Sequence, residues 1–299
     1  MAWRDWWGIK QWAAYLEHLE LPVKGTTQQA LLELEASRAD QLSARDLSGL
    51  LLEDPLFALR LLREANRRLP PRLARDITTP LGAVLALGTE QFRAQLLEAP
   101  QVSPDNQALL AAEATATLAA RVAYAWAGLH YDLDPGELAL AALLSNAGDL
   151  QLWVFAPELP SKAAEELASG RAGRSIQAQQ QVCGFAFRDL TLMLCENWGL
   201  PLLIRQLIRG DENRRAQLAR LAVDAARHLS NGATDPALPH DVREAGRLTG
   251  ANLAKVVEGL PGLMDEERAA LLTVAEAQGE GGPRAPGTAG STPEAPVPE

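Results

Sequence analysis

The chain has 299 residues, 47% hydrophobic and 22% charged, which is enough to bury a core in one large or two modest domains. Its formal net charge of −10 and pI near 5.0 argue against general nucleic-acid binding, which needs clustered positive charge to displace counterions from phosphate. No apolar run reaches the roughly 20 residues that span a bilayer, and Met1–Lys10 lacks the apolar stretch of a signal peptide, so a cytoplasmic chain is expected.

Ala and Leu recur at helical spacing, β-branched residues are sparse and no sustained alternation occurs, which predicts an all-α fold. Helices are expected at 9–19, 26–38, 44–53, 55–68, 80–87, 89–98, 105–130, 135–147, 149–156, 161–169, 174–183, 187–198, 201–209, 212–230, 240–258 and 265–278. Four of the seven Trp, Trp3, Trp6, Trp7 and Trp12, stand in the first twelve residues. They mark a Trp-rich helix over 1–20 that either docks on the body, anchors a partner or meets a membrane surface. Ser43 with Asp46 three residues on is a loose capping box for a helix ending near Glu53. Asp54 then caps a helix that starts on Pro55, where no N–H is needed. Thr79-Pro80 repeats the device, Gly88 is a candidate left-handed terminator, and Asp134-Pro135-Gly-Glu137 opens another helix.

Along 55–68, Leu56, Leu59, Leu62 and Ala65 form an apolar stripe, while Arg60, Arg63 and Arg67 fall on another face. With Arg68, Arg72 and Arg75 they make six arginines in sixteen residues, and Arg205, Arg209, Arg214, Arg215 and Arg220 form a second, diluted group. Two readings stay open: solvated arginines covering apolar neighbours, or a face that recognises a phosphorylated or acidic partner. Ala99–Pro104 reads as a break between two helical groups, and 279–299, with five Gly and five Pro, as a disordered tail. Cys183 and Cys195 are expected to be buried free thiols, lacking the close pairing of a zinc site. His18, His130, His228 and His240 are mutually distant; His130 reads as surface charge near a helix end and the other three as exposed polar residues.

Asp54-Pro55, Arg60-Leu-Leu-Arg63 with Ala65-Asn66, Ile77-Thr78 and the Leu-Gly88 ending resemble the HDOD family, bacterial signalling domains related to HD-type metal phosphohydrolases. Leu143-Leu-Ser-Asn-Ala-Gly148, Cys183-Gly-Phe-Ala-Phe and Trp198-Gly-Leu-Pro201 extend the likeness over about 20–210. It departs from the pattern in Thr79, where the family reads Ser. The resemblance implies a helical bundle like HD domains, with an HDOD-like domain over 21–210 (subdomains about 21–98 and 105–210) and additional helices over 211–278. HD hydrolases hold a divalent metal with His and Asp on facing helices. The resemblance places those positions at Ser145, Asn146 and Phe187, near Ala112, and at Gly210-Asp211. None supplies a His or a carboxylate, with Asp211 excepted, so no cofactor and no catalysis are expected. The expected role is signalling through protein partners, with Arg60, Arg63, Arg67 and Arg68, or the Trp cluster, as the contact surface. The alternative is a nucleotide held without hydrolysis near Ser145, Asn146 and Phe187; a metal-dependent phosphohydrolase is the remote one.

Overall fold

In the computed structural model, residues 8–38, 42–68, 70, 77–210 and 213–280 are described. They form helices α1 (Ile9–Leu16), α2 (Gly25–Arg38), α3 (Ala44–Glu53), α4 (Pro55–Arg68), α5 (Pro80–Leu87), α6 (Thr89–Leu97), α7 (Gln107–Ala127), α8 (Pro135–Leu144) and α9 (Ala147–Phe155). Then follow α10 (Glu158–Ala168), α11 (Ser175–Cys183), α12 (Phe187–Asn197), α13 (Leu202–Arg209), α14 (Arg214–Asn231), α15 (Leu238–Thr249), α16 (Leu253–Glu258) and α17 (Asp265–Glu280). Among the described residues no strand occurs; a single bridge joins Val23 to Gln101. The all-α expectation is met.

The caps act as their residue types require. Ser43 and Asp46 close a reciprocal capping box on α3. The Phe57 N–H donates to Asp54 Oδ1 at 2.9 Å and starts α4. Gly82 N–H donates to Thr79 Oγ1 at 3.0 Å, and Asp134 accepts from Gly136 and Glu137. Thr79→Ala is expected to destabilise the chain by about 1 kcal/mol, read by urea unfolding. Gly88 does have positive φ (83°), but its ψ of 156° is extended, so it serves as a joint between α5 and α6.

The expected helix over 240–258 is two helices. Gly250 (φ 72°) ends α15, and Asn252 caps α16 through Lys255 N–H. The helix over 105–130 stops at Ala127. Helix α17 continues through Gly279 and Glu280, two residues into the expected tail, and 281–299 lie outside the described residues.

Buried apolar side chains form one cluster from Trp12 to Ala275, so the C-terminal helices share the core of the rest. Helix α7 is its spine, packed along α8 and α14, while α9 packs on α12 and α1 on α12. Trp126 of α7 is fully buried and donates its indole N–H to Val256 O at 3.0 Å, which fixes α16. The Pro135–Phe155 stretch is long and apolar enough to cross a membrane by composition, but 67% of it is buried inside the protein. It is also interrupted at Ser145–Asn146.

Candidate functional site

Among the described residues, polar chemistry gathers at the α8–α9 junction, in a cleft beside α4 and at the buried carboxyls of Glu113 on α7 and Asp54 before α4.

Ser145 and Asn146 form the two-residue joint between α8 and α9. The Ser145 hydroxyl donates to Ala141 O at 2.8 Å in its own helix, and Asn146 makes no capping bond with its side chain. Two residues on, the Gly148 N–H donates to Thr191 Oγ1 of α12 at 2.9 Å. A Cβ on Gly148 would stand 2.8 Å from both Phe187 O and Thr191 N. The helices therefore touch backbone to backbone, which only glycine permits. Phe187 is 6% exposed and belongs to the core. A hydroxyl bonded into its own helix, a neutral amide and a buried phenyl ring do not make a donor set for a hard divalent cation. Ala112 lies on α7; Gly210 is the left-handed cap of α13, and Asp211 is outside the described residues. Among the described residues no group of three or more His, Cys, Asp or Glu is placed to hold a metal.

The arginines of α4 do not form one solvated face. Arg60 turns inward and donates to Gln95 Oε1, Glu20 Oε1 and Leu21 O at 3.0–3.2 Å. Arg63 donates through Nη1 to Glu17 O (3.2 Å) and Leu19 O (2.8 Å), and its guanidinium sits 5.9 Å over the Trp198 ring. Trp198 in turn donates its indole N–H to Glu17 O at 3.2 Å, and Asn197 bonds the Glu17 carboxylate. The α1–α2 connection is thus strapped by its carbonyls to α4 on one side and to the end of α12 on the other. Arg67 and Arg68 reach outward and share the Glu64 carboxylate. Arg72 and Arg75 fall outside the described residues.

Between these elements opens a cleft of about 580 Å³, walled by Glu17, Glu20, Arg60, Arg63, Asn66, Arg67, Gln95 and Trp198 among others. Asn66, on the last turn of α4, has both amide atoms buried without a hydrogen-bond partner. An orphaned buried polar atom costs about 1–3 kcal/mol. Arg63 forms no ion pair among the described residues; burial first, then Arg60 beside it, lowers its pKa.

Of the three readings of the Trp cluster, the free partner anchor does not hold for Trp12, which docks on the body. It is 1% exposed, belongs to the buried core and meets Tyr15 edge-on at 6.1 Å, because a large apolar ring on an amphipathic helix is buried where that helix packs on the body. Trp3, Trp6 and Trp7 lie outside the described residues.

The third place was not anticipated. Glu113 of α7 is fully buried and neither carboxylate oxygen has a hydrogen-bond partner. Burial, with added repulsion from Asp54 and some relief from Lys24, pushes its carboxyl up to about 7. Asp54 is also fully buried; it accepts the Lys24 N–H at 2.7 Å as well as the Phe57 N–H, and burial still raises its pKa. Asp149, in the first turn of α9, is likewise pushed up to about 7 by burial.

The sequence profile of the HDOD domain matches residues 26–213. The chain belongs to the HDOD family. No curated protein matches it. Among solved structures it is similar to the MmoQ response regulator of Methylococcus capsulatus str. Bath, at 24% identity and TM-score 0.61, covering 86% of this chain and 99% of that one. It is also similar to a virulence factor of Campylobacter jejuni subsp. jejuni, at 18% identity and TM-score 0.65, again over 86% and 99%. At these identities the likeness shows the fold.

Within the HDOD frame, Asp54 caps α4, Arg60 and Arg63 hold the α1–α2 strap, and Asn66 lines the cleft: the motif lines one junction. Glu113 had a legible signal, since it is the only charged residue between Asn106 and Arg121 in a run of small and apolar residues. His228, expected to be exposed, is half-buried with Nδ1 2.6 Å from Asp241 Oδ2, because α15 folds back on α14. His18 and His240 are exposed as expected. His130 lies past the end of α7, with Nε2 2.8 Å from Arg214 Nη1. Cys195 is buried and Cys183 half-buried; burial lifts their thiols to about 12 and about 11, which keeps both protonated and unreactive.

Proposed function

We propose that this HDOD protein is a non-catalytic module of bacterial signalling that acts through protein contacts. The observation that carries the reading is the α8–α9 junction. By the family resemblance, the positions where HD hydrolases keep metal ligands correspond to Ser145, Asn146 and Phe187; beside them, α12 presses on Gly148 with its backbone. Water activation by a metal needs a charged, open donor set, and these side chains offer neither charge nor an opening toward α12. The similarity to a response regulator is consistent with a signalling role. Within such a role, a rigid helical body presents faces to partners and the strap holds those faces in register.

The test is metal analysis of purified protein after dialysis, together with hydrolysis of bis(p-nitrophenyl) phosphate in added manganese. Sub-stoichiometric metal and no turnover are expected. Tight stoichiometric metal with turnover would overturn the non-catalytic reading. Affinity capture from the native cell with the full chain, read by mass spectrometry, is expected to return a signalling protein as the specific partner.

A further inference from the structure

We propose that Glu113 and Lys24 form a pH-operated latch on the strap: when the Glu113 carboxyl gives up its proton, the Lys24 ammonium leaves Glu53 O and pairs with it. The end of the strap is then tied to α3 in acid and to α7 in base. The latch is separate from the Ser145–Asn146 joint and does not depend on the protein-contact role.

The strap ends on Lys24, whose backbone N–H donates to Asp54 Oδ2 at 2.7 Å. Its neighbour Val23 donates to Pro100 O and accepts from the Val102 N–H, each at 2.8 Å. The backbone is pinned at this point, so a change of partner falls to the Lys24 side chain. The ammonium donates to Glu53 O, at the end of α3, at 2.5 Å and forms no ion pair among the described residues. Glu53 O also accepts the Thr117 hydroxyl of α7 at 3.3 Å, so it keeps a donor when the ammonium departs. Thr117 follows Glu113 by four residues on α7. Residues so spaced share a helix face, which puts Glu113 on the side of α7 that meets Glu53 and Lys24.

The charged groups that act on Glu113 are Asp54, which repels it, and Lys24, which attracts it. The Glu53 carboxylate is held by Arg121 of α7. Burial disfavours both buried carboxylates, but Asp54 has the Phe57 and Lys24 N–H groups and the Thr27 hydroxyl as donors. Glu113 has none. An ionised carboxylate shut from water needs a partner, and Lys24 is the cation within its reach. Only the carboxyl loses a proton, which goes to solvent; the ammonium moves as a cation on its flexible four-carbon stem. Burial holds the Glu113 proton up to about 7, so the latch changes over near neutral pH.

The test follows the Glu113 carboxyl carbon and the Lys24 ammonium nitrogen by NMR of the full chain from pH 5 to pH 9, with Glu113→Gln to assign the carboxyl. Both signals are expected to shift with one common midpoint near 7. Lys24→Met keeps the apolar stem and is expected to raise the Glu113 midpoint by about one unit, while Lys24→Arg keeps the charge and restores it toward the wild-type value. In Glu113→Gln the Lys24 signal is expected to lose its shift near pH 7. An unchanged Glu113 midpoint in a folded Lys24→Met protein would overturn the latch. So would a Lys24 signal that ignores the Glu113 titration in the wild-type chain, or one that keeps its shift in Glu113→Gln.

Discussion

Glu113→Gln is expected to stabilise the chain more at pH 8 than at pH 5, by a difference of about 2 kcal/mol. The carboxyl is buried with no hydrogen-bond partner and is repelled by Asp54, and its pKa is raised from the ordinary 4.5 to about 7. Above pH 4.5 the unfolded chain releases this proton while the folded chain keeps it. Each pH unit in that window therefore removes up to about 1.4 kcal/mol of stability, until the folded group ionises near 7 and the loss levels off. The stabilising contribution is fully present below 4.5 and gone above about 7. Glutamine has the same shape and does not titrate, so it removes the slope whatever its own packing does. Urea unfolding of both proteins at the two pH values measures it, and parallel curves would show that Glu113 finds a partner or solvent. Asp149, raised to about 7 by burial, adds a slope of the same sign. The wild-type chain is therefore expected to lose stability between pH 5 and pH 7, where many proteins are near their optimum.

Gly148→Ala is expected to destabilise the fold by about 3 kcal/mol, the upper part of the range for overpacking. Its Cβ would sit 2.8 Å from Phe187 O and Thr191 N, which are backbone atoms of α12 and cannot swing aside as a side chain could. Moving α9 away would break the Gly148–Thr191 bond and open the packing of Leu150 and Leu190, both in the core. Gly49 is the matched control. It lies inside α3 with nothing within 4 Å of an added Cβ. Gly49→Ala is expected to stabilise by about 0.5–1 kcal/mol through helix propensity. Thermal or urea unfolding of the two variants decides the matter; equal, small effects would mean that the α9–α12 contact is looser than described.

The helices and their ends were legible because their signals are local. Ser43, Asp54, Thr79 and Asp134 cap whatever follows them, and their bonds depend on neighbours within three residues. The break at Gly250 was missed because the apolar recurrence runs on through it, and only the left-handed turn there stops α15. The strap was not legible at all. Nothing in a helix-spaced Arg60 and Arg63 tells that their guanidinium groups face in toward carbonyls some forty residues earlier.

By itself, then, the sequence determined the helical class, the capped starts and the family pattern. These follow from short-range hydrogen bonding and from residue identity. Tertiary structure alone decided which way the arginines of α4 point, that Trp12 belongs to the core, that α9 and α12 meet at Gly148, and that Glu113 is shut away from water. Each of those depends on which helix faces meet. That is settled by packing across long sequence separations, where the same side chain is a solvated cation or a buried clamp according to what lies opposite it.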